Sequence, residues 1–159
     1  MLKNLPRYER CFVCGRANPI GLNITFKRVG DEVYCEFKPD ERYIGYPGRV
    51  HGGILAAVLD EVMGWACSVA SGKFFYTVEF AIRYKRPAAP GKKLIARAMS
   101  KAQKHGLTFA EAQLKYEDGT IIATAKGAYY PLSDEETREL LPLMHHEPDD
   151  GRPVLLDDI

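Results

Sequence analysis

The stretch HGGILAAVLDEVMGWACSVA, residues 51–70, decides the fold. It is apolar almost all round, which is typical of a helix buried inside a domain rather than one lying on its surface. Gly72 and Lys73 follow it and favour its termination. The stretch therefore predicts one long central helix, about residues 52–70, that the rest of the chain must cover.

Alternating apolar and polar residues on both sides of this helix predict β-strands. They lie at 22–27 and 33–38 before the helix, and at about 76–85, 94–102, 107–116 and 121–129 after it. Within 76–85 we expect the apolar residues at even positions on one face and Thr77 on the other. This order predicts an α+β fold, a curved antiparallel sheet of about six strands wrapped around one helix.

The ends of the chain carry weaker signals. Residues 1–20 are expected to be irregular, and residues 21–132 form the main domain. Residues 133–144 predict a short helix, because Ser133 is followed three residues later by Glu136, as in a capping box. The rest of the segment 133–159 is expected to be a loose acidic tail.

Composition excludes some functions and sets an expected location. The 22 basic and 21 acidic residues give a net charge of +1, so there is no overall basic footprint for nucleic acid. Asp60 and Glu61 interrupt the most apolar run, which argues against a membrane span. The first ten residues lack the apolar core of a signal peptide. We therefore expect a cytoplasmic protein with reduced cysteines.

Two glycines at the first turn of the buried helix suggest a binding site. Gly52 and Gly53 would let a ligand approach the free backbone N–H groups at the positive end of the helix dipole. Such donors can stabilise a carbonyl oxygen that becomes an oxyanion during acyl transfer. The simpler alternative is that both glycines merely permit a tight junction between loop and helix.

A carboxylate in the middle of a buried helix is costly unless it is paired or functional. Asp60 and Glu61 point about 100° apart, so we expect one to serve chemistry and the other to meet solvent or a basic partner. His51 and Asp60 are separated by about 13 Å along the helix at ~1.5 Å per residue. If both are catalytic, the site must combine two copies of the chain, arranged antiparallel about a twofold axis.

These residues resemble a known family. The run HGGILAAVLDE, preceded by GYPGRV and followed by MGWA, resembles the PaaI-like and acyl-CoA thioesterases of the hotdog-fold superfamily. CFVCGRANPIGL, TVEFAIRYKRPA and EDGTIIATAKGAYY resemble further segments of such proteins, so that the likeness covers about residues 11–130. One departure is Gly45, since many relatives carry Asn six residues before the histidine.

The resemblance implies hydrolysis of an acyl-CoA thioester by a homodimer or a dimer of dimers. The N–H of Gly52 or Gly53 would polarise the thioester carbonyl, and Asp60 of the facing subunit would act as general base or as nucleophile. His51 would orient the substrate or assist the departing sulfur, and Thr77 would help to hold the water. Coenzyme A is expected at two basic strand ends, comprising Tyr84, Lys85, Arg86, Lys104, His105 and Gly106.

Other interpretations stay open at this point. Cys11 and Cys14 form a lone CxxC pair, which could be half a zinc site or a redox pair, but no second pair follows and we expect no metal. No cofactor is expected, because coenzyme A is part of the substrate. A non-catalytic acyl-CoA sensor and a hotdog dehydratase are the alternative functions. The acyl group is not readable from the sequence.

Overall fold

The computed structural model describes residues 3–146. Two α-helices lie in this range, α1 (Gly52–Ser71) and α2 (Asp134–Leu140). The strands are β1 (Lys3–Asn4), β2 (Arg7–Tyr8), β3 (Phe26–Val29), β4 (Glu32–Phe37), β5 (Ile44–Tyr46), β6 (Arg49–Val50), β7 (Phe75–Tyr84), β8 (Leu94–Lys104), β9 (Leu107–Tyr116), β10 (Ile121–Pro131) and β11 (Met144–His145).

The central helix α1 follows the prediction closely. It ends at Gly72, which adopts the left-handed conformation (φ 71°) and donates its backbone N–H to the carbonyl of Ser68. By length and hydropathy α1 could cross a membrane, contrary to the expectation from its acidic pair. Yet 56% of its most apolar window is buried inside the fold, as in the core helix of a globular domain.

The main sheet is antiparallel and has the order β1-β3-β4-β8-β9-β10-β7. It wraps around α1, which contacts β4, β7, β8, β9 and β10. Small residues on the inner face allow the helix to approach closely, because an alanine side chain occupies little of the space between the layers. The alanines of β8, β9 and β10 that belong to the buried core cluster are Ala96, Ala98, Ala110, Ala112, Ala123 and Ala125.

The predicted fold class is confirmed, with one strand displaced. The strand expected at 22–27 begins only at Phe26, because Asn23 takes a left-handed conformation (φ 52°) that interrupts an extended strand. The backbone N–H groups of Leu22 and Ile24 instead donate to the carbonyls of Phe12 and Val13. Residues 22–24 are therefore bonded to the N-terminal segment and do not continue β3.

The prediction that Thr77 lies on the opposite face of β7 from Tyr84 is wrong. The pairing register with β10 shifts between Thr77 and Glu79, so Val78 is an extra residue in a β-bulge. Thr77 and Tyr84 both bond to α1, although they are an odd number of residues apart and would face opposite sides of a regular strand. The bulge thus moves Thr77 to the helix side of the sheet.

β7 is an edge of the sheet and carries exposed apolar side chains. Tyr76, Val78, Phe80 and Tyr84 are between 37% and 53% exposed. An edge strand also presents unpaired backbone N–H and C=O groups, which invite pairing with another strand. This edge is therefore a surface suited to contact with a second chain.

Both flanking segments join the same core. Leu5, Val13 and Cys14 are buried in the hydrophobic cluster that surrounds α1, and the two-residue β1 extends the sheet. The helix α2 starts at Ser133 with the expected capping box, since Ser133 and Glu136 each bond the backbone of the other. The predicted acidic tail after residue 146 lies outside the described residues.

We expect Gly127→Ala to destabilise the fold. A Cβ atom at Gly127 would lie 2.7 Å from Cε2 of the Tyr129 ring, so the ring or the strand would have to move. The free energy of unfolding should fall by about 1–3 kcal/mol, as measured by urea denaturation.

The matched control is Gly64→Ala, which places a Cβ at 3.8 Å from the same ring, an ordinary contact. Its free energy of unfolding should stay unchanged or rise by up to about 1 kcal/mol, because alanine favours a helix. Equal stability of the two variants would contradict this account of Gly127.

Candidate active site

Asp60 lies in the middle of α1 and is held by two hydroxyl groups. Thr77 of β7 donates from Oγ1 to Oδ1 of Asp60 at 2.7 Å. Tyr129 of β10 donates to the same oxygen at 3.0 Å. Among residues 3–146, no donor bonds Oδ2 of Asp60, which leaves that oxygen available to a water or a substrate.

Tyr129 was not anticipated from the sequence. Its side chain is buried, and Gly127 leaves the space into which the ring fits. Burial and the nearby charge of Asp60 raise the pKa of the Tyr129 phenol, so it stays protonated and keeps its donor role. The only sequence signal is the glycine two positions earlier, which becomes informative once the ring is located.

The start of α1 is capped by His51. Nδ1 of His51 accepts the backbone N–H of Gly53 at 2.9 Å. The N–H of Gly53 is therefore already bonded in this structure, and the role of Gly53 as an oxyanion donor stays a prediction. The backbone N–H of Gly52 has no acceptor among the described residues, so Gly52 is the better candidate.

The position that carries Asn in many relatives lies directly against His51. A Cβ atom at Gly45 would be 3.1 Å from Cδ2 of the His51 ring. Gly45 thus leaves room for the imidazole in its capping position. Because Nδ1 acts as an acceptor, the ring proton of the neutral imidazole lies on Nε2, where it can donate to a ligand.

Tyr84 ties the end of β7 to the start of α1. Its hydroxyl donates to the carbonyl of Gly52 at 2.7 Å, and burial raises the pKa of this phenol. A cleft of about 520 Å³ opens beside this contact. Lys85 and Arg86, which were expected to bind coenzyme A, line this cleft together with Arg49, which sequence reasoning missed.

The other three residues expected to bind coenzyme A lie elsewhere. Lys104, His105 and Gly106 form the turn between β8 and β9, in a cleft that also includes Ala70 and Ser71 at the far end of α1. A helix of 20 residues is about 30 Å long. One chain therefore does not bring the two predicted groups together.

A second cleft, of about 260 Å³, opens at the middle of α1. Asp60, Thr77 and Tyr129 line it, together with the aromatic rings of Phe74 and Phe75. It is lined largely by apolar side chains and contains one carboxylate with a free oxygen. Within one chain, this carboxylate is separated from the Gly52 end of α1.

Glu61 faces the N-terminal segment. The expectation that the second carboxylate would contact solvent or a basic side chain is therefore wrong for Glu61. Its carboxylate oxygens both lie 3.5 Å from Sγ of Cys11, and among residues 3–146 it has no salt bridge. Burial raises the pKa of Glu61 to about 8. The hydrogen bond from Cys14 lowers the pKa of the Cys11 thiol to about 5. The three groups thus lie together in one partly buried cluster.

The chain is similar to known proteins in both sequence and fold. Residues 47–123 match the model of the family described as the thioesterase superfamily. Over these residues the chain is similar to the thioesterase superfamily. The matched range includes the helix start, Asp60 and Thr77.

Two curated relatives carry acyl-coenzyme A thioesterase names. The chain is 28% identical over 115 residues to acyl-coenzyme A thioesterase THEM5 of Homo sapiens, covering 71% of the chain and 46% of the relative. It is also 28% identical over 98 residues to acyl-coenzyme A thioesterase 13 of Mus musculus, covering 60% of the chain and 70% of the relative. The chain thus spans about half the length of the human protein.

Solved structures share the fold. A thioesterase protein from Streptococcus pneumoniae, solved with coenzyme A, superposes with a TM-score of 0.60 at 18% identity. The match covers 64% of this chain and 82% of that protein. At this identity the likeness shows the hotdog fold, in which a curved sheet wraps around one helix.

Removing the His51 cap should destabilise α1. In His51→Ala the N–H of Gly53 loses its acceptor, so the free energy of unfolding should fall by about 0.5–2 kcal/mol. The comparison variant is His51→Asn, whose side-chain oxygen can cap the helix and should recover most of the loss. Urea denaturation measures both. The capping role would be wrong if His51→Ala were as stable as the parent.

Proposed function

We propose that this protein is an acyl-CoA thioesterase that hydrolyses an acyl-CoA to a free acid and coenzyme A. The observation that carries the proposal is the carboxylate of Asp60. One of its oxygens is fixed by Thr77 and Tyr129, while the other is free and faces a largely apolar cleft. The family match and the thioesterase names of the relatives support the same reaction.

The reaction follows from these groups. The backbone N–H of Gly52 polarises the thioester carbonyl and stabilises the negative charge that develops on its oxygen. Asp60 removes a proton from a water, whose oxygen attacks the carbonyl carbon. The tetrahedral intermediate then collapses and the carbon–sulfur bond breaks. The coenzyme A thiolate takes up the proton that Asp60 removed from the water, which regenerates the carboxylate. The Nε2–H of His51 lies at the helix start, where it can donate to the substrate.

The two clefts suit the two parts of the substrate. Arg49, Lys85 and Arg86 supply positive charge beside Gly52, which matches the phosphates of coenzyme A. Phe74, Phe75 and their neighbours around Asp60 suit an apolar acyl group. The presence of coenzyme A in the streptococcal structure supports this assignment. A cytoplasmic location and the absence of a separate cofactor stay predictions.

A homodimer would bring the two clefts together. In one chain, Thr77 and Tyr84 are seven residues apart in β7, about 23 Å at ~3.3 Å per residue. If two copies pair their β7 edges antiparallel about the middle of the strand, Thr77 of one copy lies within about two residues of Tyr84 of the other. Each site then combines Asp60 and Thr77 from one copy with His51 and Gly52 from its partner.

The exposed apolar side chains of β7 support this pairing, because a second copy would bury them. The same arrangement would bring the turn at Lys104–Gly106 of one copy towards the basic cleft of the other. It would thereby reunite the two groups expected to bind coenzyme A. Further pairing into a dimer of dimers would use a different face of the sheet.

Hydrolysis should depend on Asp60 and on the hydroxyl of Thr77. We expect Asp60→Asn to lower kcat/KM by about 10²–10⁴-fold, because the amide is not a base. Thr77→Val should lower it by about tenfold, through loss of one bond to the carboxylate. The assay follows release of free coenzyme A thiol from a panel of acyl-CoAs.

The matched control is Thr77→Ser, which keeps the hydroxyl and should retain most of the activity. Full activity in Asp60→Asn would exclude Asp60 from the mechanism. Tight binding of acyl-CoA by the parent protein without any thiol release would favour the non-catalytic sensor.

Complementation tests whether the site is shared. Gly52→Val adds methyl groups next to the Tyr84 ring, which already lies 3.4 Å from the position of a Cβ, and should block the helix start. An equal mixture of unfolded Gly52→Val and Asp60→Asn chains, refolded together, should recover about a quarter of the parent activity. The reason is that half of the dimers are mixed, and each mixed dimer has one intact site.

The mass of the parent protein in solution provides the control. Multi-angle light scattering should give at least twice the chain mass of 17.9 kDa. Phe80→Glu on the β7 edge should shift the protein towards the monomer, whereas Val29→Glu on the exposed part of β3 should not. No recovery of activity in refolded mixtures that do contain mixed dimers would contradict a shared site.

A further inference from the structure

The N-terminal CxxC pair and Glu61 form a cluster that the proposed hydrolysis does not use. The Sγ atoms of Cys11 and Cys14 and a carboxylate oxygen of Glu61 all lie within 4.8 Å of one another. Sequence reasoning left the CxxC pair without further ligands. The fold supplies a third ligand from the middle of α1, fifty residues further along the chain.

The spacing within the cluster matches tetrahedral coordination. Zinc–sulfur bonds of about 2.3 Å and zinc–oxygen bonds of about 2.0 Å place sulfur and oxygen ligands about 3.5 Å apart at the tetrahedral angle. Both carboxylate oxygens of Glu61 lie 3.5 Å from Sγ of Cys11. A disulfide between the two cysteines would not need a carboxylate at this position, so the third ligand favours a metal.

Backbone groups of the surrounding turn hold the Cys11 thiol in place. The backbone N–H groups of Val13 and Cys14 donate to Sγ of Cys11 at 3.3 and 3.4 Å, an arrangement that stabilises a thiolate. The turn depends on Gly15, where a Cβ would lie 2.4 Å from the carbonyl oxygen of Glu9. The turn around the Cys11 thiol therefore has no room for a side chain at position 15.

The carboxylate of Glu61 belongs to a cleft wall formed by α1. Trp65, one helical turn after Glu61, lines the same cleft. Glu61 has no salt bridge among the described residues, so a bound cation would supply the charge that balances the carboxylate and the thiolates.

We propose that Cys11, Cys14 and Glu61 bind a divalent metal ion, for which zinc is the best match. Three protein ligands leave one tetrahedral position for a water molecule. Cys11, Cys14 and Glu61 also line the cleft that contains Asp60. The metal therefore fastens the N-terminal segment to α1 and fixes one wall of that cleft.

Metal content and cobalt spectroscopy of the full chain test the proposal. Protein purified under reducing conditions and supplied with zinc should retain about one ion per chain after desalting. Cobalt should produce a sulfur-to-cobalt charge-transfer absorption and should quench the fluorescence of Trp65, the single tryptophan. Cys11→Ser, Cys14→Ser and Glu61→Gln should each lower the affinity for zinc by at least about tenfold.

Cys35→Ala and Cys67→Ala are the matched controls, because both thiols are buried in the core and are not among the three proposed ligands. They should keep the metal and the cobalt spectrum. The proposal is overturned if the reduced parent protein binds no zinc and shows no charge-transfer band. It is also overturned if the three ligand variants bind as tightly as the parent, or if mass spectrometry finds a Cys11–Cys14 disulfide under reducing conditions. None of these measurements depends on thioester hydrolysis.

Discussion

The close packing of α1 against the sheet is the constraint on which the rest of the structure depends. Alanines on β8, β9 and β10 let the helix lie deep in the curve, where Val58, Leu59, Val62 and Met63 are fully buried. A carboxylate on such a helix is costly unless donors reach it. Hydrogen bonds to a charged group contribute about 1.5–3 kcal/mol each. Thr77 and Tyr129 provide them, so core packing and the candidate site are inseparable.

The elements of the fold could be read from the sequence because each depends on local pattern. The apolar helix, the alternating strands and the capping box at Ser133 all involve residues close together in the chain. The displaced first strand shows where this reasoning fails. Its cause is the left-handed Asn23 together with bonds from Leu22 and Ile24 to a distant segment, and neither is encoded in hydrophobic alternation.

The site was harder to predict for the same reason. Asp60 and His51 stand out because a carboxylate in an apolar helix and a histidine before two glycines are unusual locally. Tyr129, Arg49 and the contact between Glu61 and Cys11 depend on elements that meet only in the folded chain. The occupied N–H of Gly53 was likewise unpredictable, because it depends on the rotamer of one histidine.

The bulge at Val78 has a consequence for how β7 tolerates change over evolution. A single extra residue lets one strand direct Thr77 and Tyr84 towards the same helix, although their sequence separation would otherwise place them on opposite faces. The length of the strand is thus as much a part of the functional information as the identity of its side chains. In an alignment of homologous sequences, the alternation of inward and outward side chains along β7 should therefore be assigned separately before and after Val78.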